Sequence, residues 1–245
     1  MRALAMAFAL LASPAAAQCR LALALGLDVS SSVDAGEYQL QRDGLAAALL
    51  SDEVKRALFS APGRWVTLAV YEWSGRWQQG LVLDWIALTG EGALTEAAER
   101  IAGATRSFDE YPTALGAALG YGATLLGRAP DCERRTLDVS GDGVNNEAFG
   151  PAQAYRAFPF GDTIVNGLVI TGSDPNVAAF YLAHVLRGPG AFLERAGDFR
   201  DFEAAMRRKL EREIGFAVIG EMTPPDRGQE PRRVSDHPGQ VMGGL

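Results

Sequence analysis

Histidine and cysteine are almost missing from this chain, each occurring twice in 245 residues. Serine-type nucleophilic catalysis needs an imidazole base, so His184 and His237 leave few ways to assemble a catalytic triad. A Gly-x-Ser-x-Gly elbow is absent as well, which weakens the hydrolase reading further. Positive charge is in deficit: the formal net charge is −7, which argues against nucleic acid or anionic lipid as the main partner. Beyond the first dozen residues no stretch is long and apolar enough to span a hydrocarbon core of roughly 30 Å, so no stable membrane insertion is expected.

What is present begins with a short leader pattern. Arg2 supplies a positive start, Ala3 to Ala12 form an apolar run, and Ala15-Ala16-Ala17 offer small residues before Gln18. This is the layout of a secretory signal peptide over residues 1–17, cleaved near Ala17, and it implies a secreted or periplasmic protein. Losing Arg2, the only charge in that segment, takes the formal charge from −7 to −8. A lipid on Cys19 is the rival, but Gln18 stands where such signals want a small residue. The full chain is 48% hydrophobic and 22% charged, and no linker interrupts its middle, as expected of one domain over residues 18–220. From Glu221 onward Pro, Gly and charge dominate, too little apolar surface to offset chain entropy, and a disordered tail is expected over 221–245.

Strand and helix patterns alternate along the domain. Leu21 to Leu27 is a continuous apolar run ending at Asp28, as in a strand buried on both faces. Asp34 followed by Glu37 resembles a capping box, with Leu45, Ala48 and Leu49 at helical spacing behind it. Val66 to Trp73 and Gly80 to Ile86 read as a hairpin turning at Ser74-Gly75. Helical patterns follow at Leu94 to Ala104, after Thr113, at Asp174 to Leu186 and at Asp198 to Ile214. Strand-like runs occupy Arg135 to Val139 and Thr163 to Ile170, with a short one at Ala191 to Glu194. The order implies an α/β fold: a doubly wound, mostly parallel sheet with helices on both faces.

Three loops at the carboxyl edge of such a sheet carry oxygen. Asp28-Val29-Ser30-Ser31-Ser32 follows the first strand, Thr113 precedes a helix, and Ser140-Gly141-Asp142-Gly143 follows the strand TLDV. Taken alone, Asp-x-Ser-x-Ser is equally a turn or a helix cap. Together the loops supply carboxylates and hydroxyls without thiolate or imidazole, which suits Mg²⁺, Mn²⁺ or Ca²⁺ rather than zinc or copper.

The combination resembles the metal-ion-dependent adhesion site of the von Willebrand factor A (VWA) family, over about residues 19–220. Segments 71–75, 138–146 and 188–214 are similar to a bacterial secreted branch of undefined activity. The resemblance implies a Rossmann-like sheet with one antiparallel edge strand. It further implies that Ser30, Ser32 and Thr113 ligate a divalent cation, most simply Mg²⁺, with Asp28 and Asp142 binding directly or through water. An Asp or Glu of a partner protein then fills the remaining position, in a non-catalytic binding module. One departure is that Thr113 follows Tyr111-Pro112, where the family often has Gly-Gly.

The other residues divide into structural and functional alternatives. An oxidising compartment favours a Cys19–Cys132 bridge, and the family's strand order makes their strands neighbours. A periplasmic serine or metal-assisted hydrolase would use Ser30, Ser32 or Ser140 with His184, but His184 shares a helical face with Val177, Phe180 and Tyr181 and is expected in the core. A third possibility is a structural domain whose metal only braces its loops. Glu72, Trp73 and Trp77 are left without a role, and Asn145 and Asn146 are expected to steady the Asp142 loop by side-chain to backbone hydrogen bonds.

Overall fold

A computed structural model describes residues 18–219. The expected leader and tail therefore lie outside the described residues. In chain order the elements are β1 (Gln18–Asp28), α1 (Ala35–Leu50), α2 (Asp52–Phe59), β2 (Arg64–Trp73), β3 (Gln79–Leu88), α3 (Glu91–Ala102) and α4 (Leu115–Gly127). There follow β4 (Arg135–Gly141), α5 (Pro151–Ala157), β5 (Ile164–Ile170), α6 (Val177–Phe180), β6 (Leu193–Ala196) and α7 (Phe202–Ile219). The strands form one sheet in the order β3-β2-β1-β4-β5-β6. Five strands run parallel, and β3 pairs antiparallel with β2 at the edge, which is the expected doubly wound arrangement.

The central strand β1 is buried along its whole length after Gln18, because helices cover both faces of the sheet. Its alternation separates two cores. Leu21, Leu23, Leu25 and Leu27 pack into a layer with α1, α2, α3 and α7. Ala22 and Ala24 face the opposite layer, with α4, α5 and α6. Each buried leucine contributes roughly 1.5 to 3 kcal/mol, so this strand alone anchors one face of the domain. At its amino end Arg20 is buried, with its guanidinium donating to the carbonyls of Ala57, Leu58 and Ile214 and so capping α2 and fastening α7.

Several details depart from expectation. Helices α2 and α5 stand where none was expected; α2 starts on a Ser51 N-cap, and α5 starts with Pro151 in its first turn. The helix expected over Asp174 to Leu186 is only the short α6, continued by a π-helical turn, Tyr181–Val185. Its buried stripe is Val177, Ala178, Tyr181 and Val185, centred on Tyr181, so His184 lies on the exposed flank against the Phe180 ring and is no core residue. Helix α7 is preceded by a 3₁₀ turn, Phe199–Asp201, capped by the Asp198 side chain.

Crossovers leave β1 and β4 toward opposite faces: the α1 crossover lies on the leucine side of β1, and the α5 crossover on the alanine side. The carboxyl ends of these adjacent strands therefore diverge and open a crevice, the position where open α/β sheets take ligands.

Candidate metal centre

Asp28 is the last residue of β1, and the chain turns immediately beyond it. The Ser30 amide donates to Asp28 Oδ1 (2.8 Å), and the Val33 amide to the Ser30 carbonyl (3.0 Å). Asp34 then caps α1, with both bonds of the capping box to Glu37 present. This tight turn stacks alternate side chains, leaving Ser30 Oγ and Ser32 Oγ 3.1 Å apart. The Ser32 hydroxyl donates to Asp142 Oδ1 at 2.8 Å, so two loops 110 residues apart in the chain meet directly.

Thr113 sits in the third loop and is buried. Its amide donates to Asn146 Oδ1 (2.9 Å), and its carbonyl accepts from the amides of Asn146 (3.0 Å) and Glu147 (3.3 Å). Asn145 Oδ1 accepts from the Gly116 amide (3.1 Å) at the start of α4. Both asparagines thus reach across to the Thr113 loop and the start of α4, and only Asn145 also serves its own turn, donating to the Glu147 carbonyl (3.1 Å). Close approach depends on Gly116, where a Cβ would stand 2.0 Å from the Phe149 carbonyl oxygen. Tyr111, of the unusual Tyr-Pro pair, accepts at its carbonyl from the Ser31 amide (2.8 Å), which ties the Thr113 loop to the Asp-x-Ser-x-Ser turn. The Thr113 hydroxyl lies beside Gly143, 3.8 Å from where a Cβ on that glycine would be.

Two residues that the sequence did not single out brace this arrangement. Gln41 of α1 is fully buried; its Nε2 donates to the Asp28 carbonyl (2.9 Å) and its Oε1 accepts from the Ser140 hydroxyl (3.2 Å), clamping the ends of β1 and β4. Its signal was a polar residue one helical turn before Leu45 on the buried face. Arg106 donates to the carbonyls of Val29 (3.0 Å), Ser30 (3.1 Å) and Phe108 (2.6 Å), and no local pattern marks it.

Two carboxylates are buried close together here. Burial pushes the Asp28 carboxyl up to about 7, and the neighbouring Asp142 charge adds to the rise against hydrogen bonds from Ser30. Asp28 Oδ2 and Asp142 Oδ2 are both buried without a hydrogen-bond partner. Orphaned carboxylate oxygens cost several kcal/mol unless something positive meets them. With three hydroxyls at hand, the donor set fits a hard divalent cation. Among the described residues no three His, Cys, Asp or Glu gather as a metal-holding group, so the hydroxyls would have to complete the donor set.

The remaining candidates take other places in the fold. Cys19 and Cys132 form a disulfide at the amino ends of the neighbouring strands β1 and β4, opposite the candidate ligands. Among the described residues no serine hydroxyl is hydrogen-bonded to a histidine. Glu72 is buried, accepting from the Tyr38 hydroxyl (2.7 Å) and the Ser107 amide (2.8 Å). Trp73 is also buried, whereas Trp77 is 77% exposed with the Arg76 guanidinium over its ring. Among the described residues no helix is long and apolar enough to cross a membrane.

Sheet order, the edge hairpin and the helices on both faces are those of a VWA-like fold. Residues 18–218 match the family described as "Protein of unknown function (DUF1194)", and the chain belongs to that family. No curated protein matches it in sequence. Among solved structures it is similar to a von Willebrand factor type A protein from Catenulispora acidiphila (15% identity, 83% of this chain and 43% of that one, TM-score 0.56). It is also similar to the PilB minor pilin from Streptococcus sanguinis (12% identity, 87% and 65%, TM-score 0.61). A third is proximal thread matrix protein 1 from the mussel byssus, in a form with a zinc-occupied MIDAS motif (16% identity, 81% and 47%, TM-score 0.53). The chain spans less than two thirds of each of these proteins, and at such identities the likeness is one of fold.

Proposed function

We propose that the domain is a divalent-cation-dependent protein-binding module acting outside the cytoplasm and without catalysis. Asp28, Ser30, Ser32, Thr113 and Asp142 would hold the ion, Mg²⁺ in the simplest case and Mn²⁺ or Ca²⁺ as alternatives. The observation that carries this is the pair of buried, unpartnered oxygens on the neighbouring Asp28 and Asp142, the first held by the Ser30 amide and the second by the Ser32 hydroxyl. When bound, the cation offers an open coordination position that an Asp or Glu carboxylate of a partner can fill. The chain's own part is to hold Asp28 through Ser30, Asp142 through Ser32, and Thr113 through Asn146, so that the donors need little rearrangement. The mussel protein with zinc at its MIDAS motif supports a divalent cation at such a motif and does not favour Mg²⁺ over zinc.

A partner surface stands beside the site. The loop holding Trp77 touches the Thr113 loop: a Cβ on Gly75 would lie 3.2 Å from Tyr111 Cβ, and the Arg76 amide donates to Glu147 Oε2 (2.9 Å). An exposed tryptophan next to a cation site is the kind of anchor that interfaces use.

The test is calorimetric titration of Mg²⁺ and Mn²⁺ into chelator-treated wild type and Asp28→Ala, followed by pull-downs from an envelope fraction with and without Mg²⁺. Saturable binding lost in Asp28→Ala, together with partner capture that requires Mg²⁺, is expected. Binding of Mg²⁺ without any Mg²⁺-dependent partner would favour the loop-bracing alternative, and absence of cation binding would end the proposal.

A further inference from the structure

Asp28 Oδ1 accepts from the Ser30 amide, and the Ser30 hydroxyl and the Asp142 amide also favour the charged carboxylate, whereas Oδ2 has no hydrogen-bond partner. Oδ2 lies on the side of Gly141 that Tyr181 also occupies: a Cβ on Gly141 would stand 2.9 Å from Asp28 Oδ2 and 2.6 Å from the Tyr181 hydroxyl. Trp73 closes the same space, its Cζ2 being 3.4 Å from that point. All three side chains are buried, and Asp28 Oδ2, Tyr181 Oη and Trp73 Nε1 each lack a hydrogen-bond partner. Only glycine at position 141 leaves them room.

Two orphaned donors and one orphaned acceptor around one point are chemically complementary. A buried polar group left unsatisfied costs about 1 to 3 kcal/mol, so three together call for a reason. Tyr181 is also the residue at which α6 passes into the π-helical turn, and such turns recur at functional sites because they re-aim side chains.

We infer that Tyr181, assisted by Trp73, is a positioning residue for the cation site: its hydroxyl donates to Asp28 Oδ2, directly or through one water, when Asp28 carries its charge for the ion. This rests on the cation site proposed above. Outer-shell partners of this kind fix a ligand's orientation, and their loss typically weakens metal binding by about 10- to 100-fold. The hydroxyl has no hydrogen-bond partner within the protein, so its removal without the cation should cost little stability.

That asymmetry is the test. Mg²⁺ affinity by calorimetry, and Tm in chelator and in saturating Mg²⁺, are measured for wild type, Tyr181→Phe and Tyr155→Phe. Tyr155 is the control, since its hydroxyl already donates to the Val185 carbonyl. Expected for Tyr181→Phe are an affinity at least about 10-fold weaker and a Tm in chelator equal to or above wild type. Tyr155→Phe should instead lose Tm in both conditions and keep its affinity. A Tyr181→Phe protein that binds Mg²⁺ like wild type, or that loses Tm equally with and without it, overturns the inference and leaves the site standing. Wild type that binds no divalent cation overturns both. If Tyr181→Phe does not fold, hydroxyl-proton exchange by NMR in wild type decides: slowing of the Tyr181 proton on adding Mg²⁺ supports the inference, and no change overturns it.

Discussion

At the proposed site a proton and a divalent cation would compete for Asp28. Its carboxyl titrates at about 7 in the folded chain and at 3.8 when unperturbed. Between those values the folded state holds a proton that the unfolded state has released, so the stability of the metal-free domain falls as pH rises from about 4 to about 7. Asp138, raised in the same direction by its burial, contributes to the same slope. Urea denaturation in chelator should therefore give a lower midpoint at pH 8 than at pH 5, and Asp28→Asn should flatten the dependence. Added Mg²⁺ should reverse the trend, since a cation stabilises the charged carboxylate; at 100 times its Kd the gain is about 2.7 kcal/mol. The increase in Tm with Mg²⁺ is thus expected to be larger at pH 8 than at pH 5. Equal shifts at both pH values would argue against Asp28 as a ligand.

At the scale of elements, the alternation of β4 assigns its residues to two jobs. Leu137 and Val139 pack into the layer of α4 and α5, and Gly141 opens toward Tyr181. Asp138 points to the other face, where it meets α7. There Lys209, fully buried, lies 3.1 Å from Asp138 Oδ2 and 2.9 Å from Glu213 Oε1, and Asn166 of β5 donates to the same Glu213 oxygen at 2.7 Å. Burial alone would lower the Lys209 ammonium, but Asp138 and Glu213 outweigh it and hold it raised. This network pins the last helix to β4 and β5 below the candidate ligand Asp142. Replacing Lys209 with Met should strand two buried carboxylates and cost about 3 to 5 kcal/mol, read as a fall in the urea midpoint. Mg²⁺ affinity measured on the residual folded protein should stay near wild type, because Lys209 lies on the face of the sheet opposite Tyr181.

For the whole molecule, the disulfide and the crevice occupy opposite ends of the same two strands. The bridge joins residues 113 apart in sequence. On the chain-entropy argument, closing a loop of that length stabilises the fold by about 4 to 5 kcal/mol. A Cys19→Ser, Cys132→Ser double variant should lose stability of that order in denaturant titrations. Its Mg²⁺ affinity should be retained, since no candidate ligand touches the bridge. Loss of binding in the folded variant would mean that strand register at one end controls loop geometry at the other.

Much of this architecture follows from local pattern. The apolar run of β1 ending in Asp28, the Asp34-Glu37 cap and the Val66 to Ile86 hairpin depend on side-chain periodicity and turn chemistry within a few residues, so they are legible one segment at a time. The amphipathic α2 carried a similar signal, although no helix was expected there. Tertiary structure decided what depends on distant partners: Gln41 clamping two strand ends, Arg106 holding the Ser30 turn, Asn146 carrying Thr113, and the separation of buried Trp73 from exposed Trp77. His184 was misjudged for the same reason, because helical spacing says which residues share a face but not which stripe the sheet will cover. Whether the Ser32 hydroxyl reaches Asp142 is a matter of packing between residues 110 apart in the chain, and no short-range rule encodes it.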